Sequence, residues 1–392
     1  MKKFLALTLA LVMSLSLVAC GSKNEEPKTD DTSDTQVEEP TEGAYKIAMI
    51  TDYGDITDQS FNQTTYEACK AFAEDNSIEF NYFKPVGDNT ADRVAMIEKA
   101  VDEGYNVIVM PGYAFGGAIV ETAPKFSDVK FIALDVSAGD LGDGFEVPDN
   151  LYCAVYQEEL CGYMAGYAAV KMGYTKLGFL GGMAVPAVVR YGYGFVQGVD
   201  AAAAETGTEN VTLNYVYGGQ FFGDADITAV MDTWYQHDGV EVVFACGGGI
   251  YTSAVDAAKK ADAKVIGVDV DQAGVIANYA ETEGMTITSA MKGLYPTTYD
   301  TLSDVILNDN WSKYAGQIAT LGLVSADDPE ANYVQIPMGD GTQWCDTFTQ
   351  DDYKAMVKAM YDGELTVSND ITKSPADFAT CIAVEDQGAI KG

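Results

Sequence analysis

What most restricts this chain is a rhythm: short apolar, β-branched runs alternate with amphipathic helical stretches, beginning near Tyr45. Tyr45 to Thr51 (YKIAMIT) reads as a strand, and Phe61 to Asp75 carries apolar residues at helical spacing. Glu79 to Phe83 reads as a strand and Thr90 to Glu103 as a helix, with Asn89 or Thr90 as its N-cap. NVIVM (106–110) and FIAL (131–134) are two further strands. After a break the pattern restarts with a helix rich in small residues over 158–172, then strands at 176–180, 211–216, 240–245 and 264–268. Helices are expected between them at 188–205, 226–237 and 250–261. Thr286 to Ala290, a helix over 297–308 and a late helix over 350–362 are left to complete the sheets. Near-continuous apolar strands separated by helices imply parallel sheets covered on both faces. The expected fold is therefore α/β, with two doubly wound parallel-sheet lobes joined by a hinge. One lobe is expected over 45–155 plus about 290–325, the other over 156–289 plus about 330–392.

In open parallel sheets, ligands bind in the crevice beyond the carboxyl ends of the strands. The residues at those ends therefore carry the functional reading. Asp52 follows the first strand, and Phe61 and Asn62 open the first helix, where backbone N–H groups point outward. Pro111-Gly112-Tyr113-Ala114-Phe115 follows NVIVM, and Asp135 follows FIAL. Gly247, Gly248 and Gly249 follow the strand at 240–245, where backbone can lie close to a ligand. Asp269 follows KVIGV, with Asp271 and Gln272 behind it, and Lys292 follows 286–290. Carboxylates accept bonds from vicinal hydroxyls, and aromatic rings stack on sugars or bases. Any one of these aspartates could be a helix cap. All of them together point to one site for a small hydroxylated molecule bearing a flat ring.

Catalytic patterns are missing. The single histidine, His237, lies in a helical stretch, and there is neither a Walker A loop nor a GxSxG elbow. Gly192 to Gly198 breaks the dinucleotide fingerprint at its last glycine, and Asp88 to Asp92 lacks the features of a calcium loop. The expectation is a binding protein, not an enzyme, with no cofactor and no metal. A formal charge of −36, from 59 acidic and 23 basic residues, repels phosphate backbones and argues against a nucleic-acid partner.

The opening residues read as an export signal: Lys2 and Lys3 precede an apolar stretch from Phe4 to Leu17 that is too short to span a bilayer. Leu17-Val18-Ala19-Cys20 resembles a bacterial lipobox, so residues 1–19 are expected to be cleaved and Cys20 to be lipidated. Residues 20–44 are acidic, rich in Ser, Thr and Pro and poor in apolar groups, as a disordered tether would be. The chain is thus expected at the extracytoplasmic face of the cell membrane, held by its lipid. The other six cysteines show neither CxxC nor zinc-like spacing, and most read as small buried hydrophobes.

Asp52 followed by Thr57-Asp58-Gln59-Ser60-Phe61-Asn62-Gln63 resembles the signature of the BMP (basic membrane protein, PnrA-like) lipoproteins. Asp135, Arg190 with Gly194-Phe195 and Gly198, Tyr217 to Phe221, Gly267-Val268-Asp269 with Asp271-Gln272, and Lys292-Gly293 extend the likeness across the body. Tyr353 to Leu365 resembles that family's last helix and turn. The resemblance implies a type I periplasmic-binding-protein fold and the solute-binding role of an ABC importer. Its partners would be a membrane permease and a nucleoside or related small solute, with a purine nucleoside expected. It also implies residue roles: Phe61 and one of Phe221 or Phe222 sandwich a base, Asp52 and Asp135 bond its polar edge, and Asn62 lies near base or ribose. Asp269 and Lys292 hold ribose hydroxyls, with Gly247 close to the sugar. Gln59 stands where that family usually has Lys, and the stretch Phe221 to Asp224 is one residue longer. The same fold could instead hold a sugar or another hydroxylated metabolite, or serve an envelope sensor.

Overall fold

A computed structural model describes residues 45–391. The expected signal, the expected lipidation site Cys20 and the expected tether lie outside the described residues. Two sheets are formed. The first contains β1 (Lys46–Ile50), β2 (Glu79–Phe83), β3 (Val107–Pro111), β4 (Lys130–Leu134), β5 (Leu151–Tyr156) and β11 (Gln317–Leu321). The second contains β6 (Lys176–Gly181), β7 (Thr212–Tyr217), β8 (Val242–Cys246), β9 (Lys264–Asp269), β10 (Thr286–Lys292), β12 (Val334–Gln335) and β13 (Ala383–Ala389). The orders are β11-β5-β4-β3-β1-β2 and β12-β10-β9-β8-β6-β7-β13. All pairings are parallel except β10 with β12. In each sheet the chain starts in the middle, steps outward once and then reverses direction. The reversals lie between β1 and β3 and between β6 and β8, the switch points where such sheets open a crevice.

The strand pattern follows from burial on both faces. Ile47 and Met49 of β1 enter one hydrophobic cluster, and Ala48 and Ile50 enter another on the opposite face. In the second sheet, Val242, Phe244 and Cys246 face one cluster and Val243 and Ala245 the other. Helices supply the covering layers: α1 (Phe61–Asn76), α2 (Thr90–Asp102), α3 (Gly116–Thr122) and the short α4 (Ala138–Leu141) belong with the first sheet. α5 (Glu158–Lys171), α6 (Pro186–Thr206), α7 (Ala225–Thr233), α8 (Tyr251–Ala261) and α9 (Ala273–Ala280) follow in the second half. α10 (Leu294–Ile306) returns to pack on α1, and α11 (Gln350–Tyr361) follows later.

Several elements differ from the sequence reading, which also lacked α3, α9, β11 and β12. β5 was not expected, because the four-residue α4 before it carries no periodic apolar stripe to announce another βα unit. The helix expected over 226–237 stays α-helical only to Thr233, then widens into a π turn over Trp234–Asp238 that buries Trp234 and Tyr235. β13, with side chains largely exposed, joins the sheet through backbone pairing with β7 instead of an apolar face. Cys69, Cys153, Cys161 and Cys246 are buried, and all six described cysteines are unpaired. Among the described residues no helix is long and apolar enough to cross a membrane.

The small residues of α5 have a packing reason. A Cβ on Gly162 would stand 2.2 Å from Tyr191 O, and one on Gly166 2.3 Å from Phe195 O. Reciprocally, a Cβ on Gly194 or Gly198 of α6 would meet Glu159 O or Tyr163 O at 2.1 Å. The two helix backbones therefore touch, and only glycine permits it. Gly162→Ala is expected to destabilise the fold by about 2–3 kcal/mol through overpacking against rigid backbone, measured as a lower urea midpoint with an unchanged slope. A midpoint equal to that of the parent chain would mean that the helices can separate freely.

Candidate ligand-binding cleft

The carboxyl ends of both sheets open into one cavity of about 360 Å³. Asp52, Phe61, Asn62, Asp135, Phe221, Phe222, Gly247, Asp269 and Lys292 all line it. The folding thus gathers into one hollow residues that lie up to 240 positions apart, counting from Asp52 to Lys292.

The wall from the first sheet is set at its switch point. Asp52 Oδ1 accepts the N–H groups of Tyr53 and Gly54, each at 2.6 Å. Its other oxygen lies against Gly112 after β3, where a Cβ would be 3.0 Å away and φ is +121°. Burial raises the Asp52 pKa, opposed by those two N–H groups. Asn62 Nδ2 donates to Asp58 at 3.3 Å, and its Oδ1 has no hydrogen-bond partner among the described residues. The start of α1 is not offered to a ligand as expected. Asp58 accepts the N–H groups of Ser60, Asn62 and Gln63 at 2.9–3.0 Å and occupies the outward-pointing donors. Burial pushes its carboxyl up to about 6 against these bonds.

The opposing wall carries the second aromatic. The Phe221 ring lies flush on backbone: a Cβ on Gly182 would stand 2.4 Å from it and one on Gly247 2.8 Å. Phe222 also borders the cavity but is 58% exposed, so Phe221 is the ring seated inside. Tyr53 tilts towards Phe221 with centroids 6.2 Å apart, and its hydroxyl reaches Met183 Sδ at 3.5 Å across the cleft.

The floor is a buried charge cluster. Lys292 Nζ, at the end of β10, lies 2.5 Å from Asp135 Oδ2, 3.5 Å from Glu158 Oε1 and 3.7 Å from Asp269 Oδ1. It also stands 4.7 Å from the Phe61 ring centroid and within 5.6 Å of those of Tyr156 and Tyr191. Arg190 Nε donates to Glu158 Oε2 at 2.6 Å. Burial disfavours the Lys292 ammonium, but the three carboxylates outweigh it and raise its pKa, so the lysine stays charged. Burial raises the carboxyls of Glu158 and Asp269; Arg190 and Lys292 oppose it at Glu158, and Lys292 and Ser60 at Asp269. Asp135 and Asp269 adopt left-handed backbone, with φ of 58° and 65°, a conformation few side chains other than Asn and Asp tolerate. Equivalent strand ends of the two lobes thus present a carboxylate by the same local device. Asp269 Oδ2 accepts from Ser60 Oγ at 2.6 Å and Oδ1 from Tyr191 at 3.3 Å, while Asp135 Oδ1 has no hydrogen-bond partner among the described residues.

The profile of the family described as "ABC transporter substrate-binding protein PnrA-like" matches residues 45–326. The chain belongs to this family. A relative, the CD4+ T-cell-stimulating antigen of Listeria innocua, is 28% identical over 309 residues, 74% of this chain and 80% of that protein. The ABC transporter nucleoside-binding protein BmpA of Lactococcus lactis is 26% identical over 285 residues, 69% of this chain and 75% of its own. A solved ABC transporter solute-binding protein from Aeropyrum pernix shares the fold, with a TM-score of 0.64, 20% identity, and coverage of 85% of this chain and 90% of that one.

Sequence reasoning missed several residues of this PnrA-like cleft. Glu158 stands two residues beyond β5, so recognising that strand would have exposed it by the strand-end rule. Tyr53, Met183 and Tyr191 had no signal beyond being loop or helix residues. Gln59, where the family pattern departs, turns its side chain to Gln63 Oε1 at 2.8 Å, and its carbonyl accepts Gln272 Nε2 at 3.1 Å from the opposite lobe.

Glu159, beside Glu158, is buried and its Oε2 has no hydrogen-bond partner among the described residues. Burial, with Glu158 adding repulsion, pushes its carboxyl up to about 7 from 4.5. A raised carboxyl contributes stability that is complete below its unfolded value and lost as pH rises through the folded one. Glu159→Gln is therefore expected to raise the melting temperature at pH 8 and to change it little at pH 4.5. Equal shifts at both pH values would show that the carboxyl is ionised throughout.

Proposed function

We propose that this chain is the solute-binding lipoprotein of an ABC importer, anchored through Cys20 at the extracytoplasmic face, and that it captures a nucleoside in the interlobe cleft. The observation carrying this reading is the convergence, in one cavity, of two aromatic rings from opposite lobes with carboxylates from opposite lobes. Phe61 and Phe221 suit the two faces of a base, and the unsatisfied oxygens of Asn62 and Asp135 accept its N–H edge or a hydroxyl. Asp269, already oriented by Ser60 and Tyr191, retains lone pairs for a ribose diol. Lys292 offsets part of the negative charge of that floor and donates to ligand oxygen. The name of the Lactococcus relative supports the nucleoside class.

Capture proceeds by lobe closure. Asp135–Lys292, Ser60–Asp269 and Gln59–Gln272 all join the first lobe to the second. A ligand touching both walls adds to these bonds in the closed form alone and shifts the population towards it. The membrane permease then reads the closed shape, and no bond of the ligand is broken.

Thermal shift and titration calorimetry on the chain from Tyr45 onward, against nucleosides, free bases and sugars, test this. Nucleosides are expected to raise the melting temperature. Phe61→Ala and Asp269→Ala are each expected to weaken nucleoside binding by about 2 kcal/mol or more while the fold survives. Stabilisation by sugars alone would replace the nucleoside with a sugar as cargo.

A further inference from the structure

The loop from Gly218 to Asp224, between β7 and α7, carries Phe221 and Phe222 to the cleft. Its inner side is fixed by the glycine loop after β8, since Phe221 O accepts Gly249 N–H at 2.9 Å. Its outer side is fixed by the residues following β13. β13 runs parallel to β7, from Ala383 opposite Thr212 to Ala389 opposite Tyr217, with a bulge after Asp386. Ile390 N–H then donates to Tyr217 O at 2.8 Å, and Trp234 Nε1 donates to Gln387 Oε1 at 3.1 Å.

Lys391 comes next, and it lies directly on the loop. Its carbonyl oxygen would be 2.5 Å from a Cβ on Gly219, whose φ is +81°, so glycine is required there twice over. Its ammonium pairs with Asp224, approaches Asp226 at 3.6 Å and reaches Gln220 Oε1 at 3.4 Å. Gln220 Nε2 in turn donates to Phe222 O and to Asp224 Oδ2, both at 2.9 Å. Asp224 Oδ1 caps α7 by accepting the N–H groups of Asp226 and Ile227 at 3.0 Å. One cation thus ties together the two side chains that bracket the aromatic pair. β13 and Lys391 lie beyond residue 326, where the family match ends, whereas the loop they hold lies within it.

We infer that Lys391, carried by β13, is a positioning residue for the Phe221–Phe222 loop and thereby sets the affinity of the cleft. An edge strand that only shields the sheet would affect global stability and no particular loop. A positioning residue restricts one loop, so its loss loosens that loop and makes the ligand bind a less pre-organised wall. The affinity part rests on the cleft being the binding site for nucleosides; the loop part does not.

The test uses the full chain as wild type, Lys391→Ala and Lys391→Arg. Hydrogen exchange is followed in peptides covering 218–224 and, as a control, 52–62, and dissociation constants are measured for adenosine, guanosine and inosine. Lys391→Ala is expected to speed exchange in 218–224 by roughly tenfold with the control segment and the melting temperature near wild type. It is also expected to weaken the best-bound nucleoside about fivefold, mainly through faster release. Lys391→Arg keeps the cation and is expected to restore both. Exchange in 218–224 equal to wild type, or raised evenly over the chain, overturns the inference. A loosened loop with unchanged affinity overturns its binding half. If the wild type binds none of the three nucleosides, the proposed cargo is wrong, and the exchange measurements still decide whether Lys391 holds the loop.

Discussion

A lysine ammonium buried among three carboxylates governs the architecture of the cleft. Lys292 ends a strand of the second sheet, Asp135 ends a strand of the first, and Glu158 opens the helix that follows the crossing between them. Removing the lysine would leave buried carboxylates without their shared cation, a defect costing about 3–5 kcal/mol. The cluster therefore joins the two sheets through one shared cation, since Lys292 and Asp135 come from different sheets. Asp135, Asp269 and Lys292 of this cluster also line the cavity, so in the proposed function closure and recognition share the same atoms.

The two lobes solve the same problem with the same local geometry. Each sheet reverses at its second strand and opens a crevice there. Each then places an aspartate with positive φ at a strand end, Asp135 in one and Asp269 in the other. Glycines do the complementary work. Gly112 lets Asp52 lie against the β3 turn, and Gly182 and Gly247 let the Phe221 ring lie on backbone. The aromatic wall is consequently fixed on its inner side by contacts that no larger residue would allow.

Much of this was legible in the sequence because it rests on local periodicity. Runs such as NVIVM and VVFAC are apolar on both faces, and that alone calls for a covered parallel sheet. The strand-end rule then pointed to Asp52, Asp135, Gly247, Asp269 and Lys292. β5 escaped because a four-residue helix precedes it, and Glu158 escaped with it. β13 escaped because it joins the sheet by backbone bonds while its side chains stay exposed, and backbone bonding leaves no mark on composition.

The sequence by itself determined the α/β class, the repetition of the unit and the kinds of side chain that end its strands, since each of these depends on residues near one another in the chain. Only the tertiary structure decided that Asp58 consumes the helix donors once expected for a ligand, that Phe221 and not Phe222 is the ring held inside, and that Lys292 faces three carboxylates at once. Those outcomes depend on which distant segments are brought within a few ångströms, and burial there changes what each charge costs and what it can bind.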